Sequence, residues 1–302
     1  MCREVIPTSS KKAEWLMASV TLAWGSSYLL MKVGLNGIGP FNLIALRFGI
    51  AFIFMLFVFL PRFRSLTWKT CGKGILMGII LFGIFTGMVC GVNHTTASTA
   101  GFLTSTTVIL VPVLKSILGR TLPAKPVMVC ICIATAGLFL LTAKDGVALD
   151  KGALLCLMGA LFYAVYIIVL DKIAKKEDAF LISIIQLGVT SLLGAICMLL
   201  FETPSLPENP LEWGAVIGLG LVCSAYGFVV QPIAQKYASP EKIGLIFALE
   251  PVFSAVLSFI FLHEILEIRG YVGAILILVS VILSEKLSSD KNADIPIENK
   301  RT

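Results

Sequence analysis

Residues Lys242–Glu264 read KIGLIFALEPVFSAVLSFIFLHE, and the meaning of this stretch decides the fold. Its interior, Ile243 to Leu262, is twenty residues long, and only Glu250 in it can carry a charge. Twenty helical residues at about 1.5 Å each span roughly 30 Å, the thickness of a bilayer's hydrocarbon core. A lone carboxylate near the middle of such a helix costs at least ~2.5 kcal/mol to insert, so Glu250 must turn towards a partner or a wet cavity. Pro251 follows it. Proline removes its own backbone donor and frees the carbonyl one turn earlier, which lipid tolerates only where protein or water covers the loose backbone. Glu250-Pro251 therefore reads either as a kink braced by a protonated carboxyl or as an internal polar site, and intramembrane ionisable residues favour the site.

The rest of the chain agrees with a membrane reading. It is 57% hydrophobic and 14% charged, with mean hydropathy +0.94; soluble proteins average about 25% charged. Ten apolar segments can be marked: Ala13–Val33, Phe41–Leu60, Gly74–Val92, Ser98–Leu118, Pro126–Ala143, Gly152–Leu170, Phe180–Phe201, Trp213–Gln235, Ile243–Leu262 and Ile268–Ser284. The first is expected to be a retained helix, because no small-residue cleavage site follows a short apolar core. The net charge of +6 comes from basic residues scattered through short loops, which suits anchoring and topology and not nucleic acid. Alternate loops divide these residues eighteen to three, and the loop Glu202–Glu212 has three glutamates and no basic residue. The positive-inside rule then places both termini in the cytoplasm.

The eight cysteines show no disulfide framework, and six of them lie in apolar runs as small hydrophobes. Cys130-x-Cys132 lacks zinc spacing, and His263-Glu264 does not open an HExxH motif, so no metal or cofactor is expected. An embedded enzyme needs a nucleophile–base pair or a carboxylate cluster at one depth, and no such constellation is present.

The two halves echo each other. Pro112 and Pro251 lie 139 residues apart, and Trp24-Gly25 and Tyr163-Ala164 repeat at the same interval. Five segments per half is an odd number, so the second half would run upside down relative to the first. Inverted repeats with a midplane site at their interface are a common transporter architecture. The expected fold is an all-α integral membrane protein of ten transmembrane helices in two inverted five-helix repeats. Residues 1–143 form the first repeat and 152–285 the second, and 286–302 are a disordered cytoplasmic tail.

On these residues the sequence resembles the drug/metabolite transporter superfamily, in its ten-helix EamA-type branch. The resemblance rests on Trp24-Gly25-Ser26, Arg47-Phe48, Pro112 with Leu118-Gly119-Arg120, Tyr163-Ala164, and Glu250-Pro251-Val252 with Leu262-His263-Glu264. The family usually has leucine-glycine-glutamate after each proline helix; here Arg120 and His263 depart from it, and Tyr163 stands where tryptophan is usual. The resemblance implies movement of small metabolites, often amino acids and often outward, by alternating access.

Candidate site residues follow from depth and spacing. Trp24, Ser27 and Tyr28 share one face of the first helix, as Tyr163 and Tyr166 do in the sixth, and Tyr226 lies near the middle of the eighth. With Glu250 they are expected to line a substrate cavity, Trp24, Tyr163 and Tyr226 forming its aromatic wall; packing between helices is the competing role. Thr104 and Thr107 are second candidates, against ordinary hydroxyl packing. Pro112 and Pro251 are expected kinks or gates. Arg47 lies some 9 Å below the outer end of its helix at about 1.5 Å per residue. It can snorkel, join a structural ion pair, meet Glu250, or contact substrate. Lys32 and Lys115 are expected to snorkel, and Asn93 and His94 to form a solvated turn.

The function expected is a permease for neutral or zwitterionic cargo in the cell membrane. Its partners would be the lipid bilayer, a small-molecule substrate and protons, and the subunit would be a monomer or a homodimer. A phosphorylated-metabolite or nucleotide-sugar exchanger is the alternative within transport, but phosphate wants paired deep cations. A non-transporting receptor or assembly subunit is the alternative outside it.

Overall fold

The computed structural model describes residues 10–120, 125–142, 150–174, 178–228, 230–231, 246 and 249–293, and the described residues of the ten apolar segments are mainly helical. The helices are α1 (Ser10–Gly34), α2 (Pro40–Phe59), α3 (Trp68–His94), α4 (Ala97–Ser105), α5 (Thr107–Leu118) and α6 (Lys125–Thr142). They continue as α7 (Lys151–Ala174), α8 (Ala179–Phe201), α9 (Pro210–Gly218), α10 (Glu250–Leu262) and α11 (Ile268–Ala293). A 3₁₀ turn, Leu60–Ser65, extends α2, and a π-helical stretch, Leu219–Tyr226, extends α9. No strand occurs among the described residues. Among the described residues five helical stretches are long and apolar enough to cross a bilayer, and shorter apolar helices accompany them.

Helix starts follow local chemistry. Thr67, Thr96, Asp178 and Asn209 each accept a first-turn backbone N–H with their side chains, and Pro40 and Pro210 open α2 and α9, where a missing N–H costs nothing. Two further carboxylates cap from a distance. Glu202, past the end of α8, accepts from the N–H groups of Phe41 and Asn42, both at 3.0 Å. Glu264, past the end of α10, accepts from those of Ala97 and Ser98 at 3.0 and 3.1 Å. Glu264 thereby satisfies otherwise orphaned donors of α4.

The two halves pack with matched partners. α1 lies on α10 as α7 lies on α4 and α5, and α2 lies on the π-helical stretch as α8 lies on α3. Two further pairs, α2 with α8 and α6 with α11, join equivalent helices. Those pairs run antiparallel. The Ser191 hydroxyl donates to the carbonyl of Ala45 while Gly188 faces Phe52, and Ser280 donates to Cys130 while Gly273 faces Gly137 and Leu141. Close crossings need small residues. A Cβ on Gly87 would fall 2.6 Å from the backbone nitrogen of Gly159, so α3 and α7 touch main chain to main chain.

Three expectations are corrected. The fourth segment is interrupted at Thr106, six residues before Pro112, because Ser105 and Thr106 turn their hydroxyls onto the carbonyls of Phe102 and Leu103, both at 2.6 Å. Nor does Pro251 interrupt a helix among the described residues: Leu249 is a turn residue and Pro251 sits in the first turn of α10, where proline is tolerated. Finally, α11 continues to Ala293, so residues 286–293 are helical and not a disordered tail; 294–302 lie outside the described residues.

Candidate functional site

Glu250 is in the first turn of α10 and receives a hydrogen bond from the Tyr28 hydroxyl at 3.1 Å. The contact depends on Gly25, one turn earlier in α1. A Cβ there would meet the Cβ of Phe253 at 2.7 Å and the carbonyl of Glu250 at 3.0 Å, so only glycine brings α1 this close to α10. Thr104 of α4 lies beside the Tyr28 hydroxyl, and Tyr163 of α7 lies within electrostatic reach of the carboxylate. Tyr28 is fully buried, whereas Glu250 and Tyr163 are half-buried. Four of the residues singled out in the sequence thus converge, two from each half.

A second polar group surrounds Arg47. Its side chain is 1% exposed, so it does not snorkel. Its guanidinium lies over the rings of Phe85 and Phe48, 4.5 and 4.9 Å from their centroids, and Nη2 and Nε donate to the Ser224 hydroxyl at 3.0 and 3.3 Å. Of the alternatives open to Arg47, the ion pair with Glu250 is not formed: Arg47 donates to Ser224 of the π-helical stretch, while Glu250 accepts from Tyr28. Nη1 is buried and has no hydrogen-bond partner.

The π-helical stretch supplies both Ser224 and the carbonyl of Cys223, which accepts from Trp24 Nε1 at 2.8 Å. Such stretches recur at functional sites because they shift the carbonyl register and expose backbone acceptors. Trp24 also packs against Phe228, with ring centroids 5.9 Å apart. Tyr226 pairs with the Ser19 hydroxyl at 2.6 Å. The expected aromatic wall is therefore divided: Tyr163 belongs to the Glu250 group, while Trp24 and Tyr226 hold the π-helical stretch to α1.

Other candidates form hydrogen bonds within the bundle. Ser27 donates to the Trp24 carbonyl at 2.7 Å, Thr107 to the Ala160 carbonyl at 3.2 Å, and Tyr166 to Gln186 at 3.0 Å. Lys32 is half-buried and does not snorkel. Its ammonium donates to the carbonyls of Val92 and Thr95 at 2.9 and 2.8 Å, closing the C-terminus of α3 where the helix dipole favours a cation. Lys115 is exposed. Asn93 and His94 line, with Lys32, Thr96, Thr99 and Arg269, a cavity of about 390 Å³ where α1, α3 and α6 end. Among the described residues no group of three or more His, Cys, Asp or Glu could hold a metal ion.

Ser224 and Lys32's capping role had no signal in the sequence, because a π-helical register and a contact between distant helices leave no local pattern. Glu264 had one: it ends the motif shared with the drug/metabolite transporters.

The profile of the EamA-like transporter family matches residues 11–143 and again 150–285. The chain belongs to this family. An uncharacterized transporter of Archaeoglobus fulgidus is 28% identical, the match covering 88% of this chain and 83% of that one. The uncharacterized transporter YoaV of Bacillus subtilis is also 28% identical, over 88% of this chain and 94% of YoaV. One solved crystal structure superimposes with a TM-score of 0.67 over 93% of this chain and 99% of its own, at 22% identity, and so shares the fold. The EamA-family chain is thus a transmembrane transporter, with apolar helices suited to a lipid bilayer.

Proposed function

We propose that this EamA-family chain is a secondary-active permease of the cell membrane. Its ten segments cross the bilayer as two inverted repeats, with both termini cytoplasmic. It moves small neutral or zwitterionic, amino-acid-like metabolites outward by alternating access. The observation that carries this reading is the half-buried Glu250 carboxylate, held by Tyr28 of the opposite repeat and flanked by Thr104 and Tyr163. A costly ionisable group deep in a bundle is placed where the two halves meet and move. The cavity of about 390 Å³ beside Lys32 and His94 serves as the outer vestibule.

Glu250 links cargo movement to protons. A carboxyl group shared between two helices can hold a proton in one conformation and release it in the other. A ligand or proton shifts such an equilibrium only through its differential affinity for the two states. Glu250→Gln is nearly isosteric and cannot ionise. In proteoliposomes it is expected to abolish accumulation driven by a pH gradient while counterflow of labelled cargo survives. Accumulation at the wild-type rate in Glu250→Gln overturns the proton role, and absence of any flux in the wild type overturns the permease.

A further inference from the structure

Arg47 is a fully buried cation in a helix of the bundle core. Phe85 of α3 and Phe48 of α2, edge to face with each other at 4.7 Å, lie against one side of the guanidinium, and the Ser224 hydroxyl accepts from Nε and Nη2. Tyr28 and the Cys223 thiol are the ionisable groups facing it, and neither carries a charge at neutral pH in ordinary water. No carboxylate among the described residues forms an ion pair with it. An uncompensated charge taken out of water costs several kcal/mol, and a buried donor without an acceptor adds to that cost. Stacking on two rings offsets part of the penalty and leaves Nη1 unsatisfied.

Two features distinguish this arrangement from a structural brace. A brace satisfies its donors on the elements it joins, yet Nη1 meets none of the three elements that Arg47 touches. The cation also shares one of its neighbours with the candidate site: Tyr28, whose hydroxyl is on Glu250, faces the guanidinium as well. A fixed positive group and a fixed acidic group thus flank a single tyrosine.

We propose that Arg47 is the specificity residue for the anionic end of the cargo, with Nη1 and the Ser224 hydroxyl receiving a carboxylate. This rests on the permease reading above and names the group that the cargo must carry. The planar fork of guanidinium donors matches a carboxylate, and one fixed cation neutralises one negative charge. A phosphate monoester carries nearly two and needs a second cation; the half-buried Lys32 lies at the end of α1 in the vestibule cavity and is committed to the carbonyls of Val92 and Thr95. Glu250 stands at the opposite end for a cationic or hydrogen-bond-donating group.

The test compares carboxylates with their neutral counterparts. Wild type, Arg47→Lys and Arg47→Gln are reconstituted in liposomes loaded with the twenty protein amino acids, and exported members are identified by mass spectrometry. Each is then competed with its own primary amide, which keeps the ammonium and side chain and removes the negative charge, and with phosphoserine. In parallel, thermal shift in detergent compares each acid with its amide. The wild type is expected to prefer acid to amide by about tenfold or more, because removing one partner of a buried charge pair is costly. Arg47→Gln should lose that preference, and Arg47→Lys should keep part of it. Equal competition by acid and amide in the wild type overturns the proposal even if the variants do not fold. So does an undiminished preference in a folded Arg47→Gln, or stronger competition by phosphoserine than by the carboxylates. Flux without acid preference removes the role of Arg47 and leaves the permease standing. Absence of all flux removes the permease, and acid-over-amide stabilisation in the thermal-shift arm then still decides the Arg47 site.

Discussion

Glu250 and Arg47 show how differently a charge can be carried at depth: the carboxylate keeps some exposure and one tyrosine partner, while the guanidinium is buried against a pair of phenylalanine rings. Tyr28→Phe removes the hydroxyl that donates to Glu250 and lies beside Thr104, and a hydrogen bond to a carboxyl group is worth about 1–3 kcal/mol. The variant is expected to lose that much stability in detergent and to transport more slowly, whereas Tyr166→Phe, whose partner Gln186 is away from Glu250, should lose stability alone. Flux assays normalised to protein amount check the contrast. Tyr163→Ala should lower flux with near-normal surface expression, since the side chain is half-buried. Trp24→Ala should fail differently. It empties a 9%-exposed site and strands the Cys223 carbonyl, a loss of about 3–5 kcal/mol, so its expression should fall before its turnover is measured.

Helix ends and crossings carry the stability at the element scale. Glu264 closes the N-terminus of α4 from the end of α10, and Ser98 adds a side-chain bond to the same carboxylate at 2.9 Å. Glu264→Ala should cost about 1–2 kcal/mol, within the range of lost N-caps, and lower the unfolding midpoint in detergent. The residue before it has the opposite prospect. His263 sits at φ 54°, a left-handed conformation that strains a side chain with a Cβ, and the related family motif has glycine there. His263→Gly should raise the midpoint by the equivalent of about 1 kcal/mol; an unchanged or lower midpoint means the αL residue is unstrained. At the α3–α7 crossing, Gly87→Val should separate the helices and destabilise by about 1–3 kcal/mol or more, because the backbone of Gly159 cannot yield as a side chain would. Size-exclusion profiles of Gly87→Val and Gly72→Val distinguish crossing from mere substitution, since a Cβ on Gly72 meets nothing within 4 Å.

The matched packing of the two halves makes orientation a property of the whole molecule. In the proposed topology, with both termini cytoplasmic, the exposed Ser205 between α8 and α9 would face outward and Ser289 of α11 inward. In a background without the eight natural cysteines, an impermeant thiol reagent applied to intact cells should label Ser205→Cys and spare Ser289→Cys. The reverse pattern inverts the topology, and with it the side on which the vestibule opens.

The sequence by itself determined the ten apolar segments, the interval of 139 residues between the halves, and the position of Glu250 in a setting where a charge is costly. All three are one-dimensional: a bilayer demands about twenty apolar residues per crossing, and every departure from that pattern stands out. Tertiary structure alone decided what the polar groups meet. Arg47 could be placed at its depth from the sequence, but its escape to lipid, to a carboxylate or to two phenylalanines depended on α3 and the π-helical stretch crossing α2 where they do. The interruption at Thr106 was likewise hidden, because proline is a visible helix breaker and the competition of serine and threonine hydroxyls for carbonyls is not. Apolar burial in a membrane is set residue by residue along the chain, whereas a hydrogen bond or ion pair needs two groups brought together, and only the packing of helices brings them.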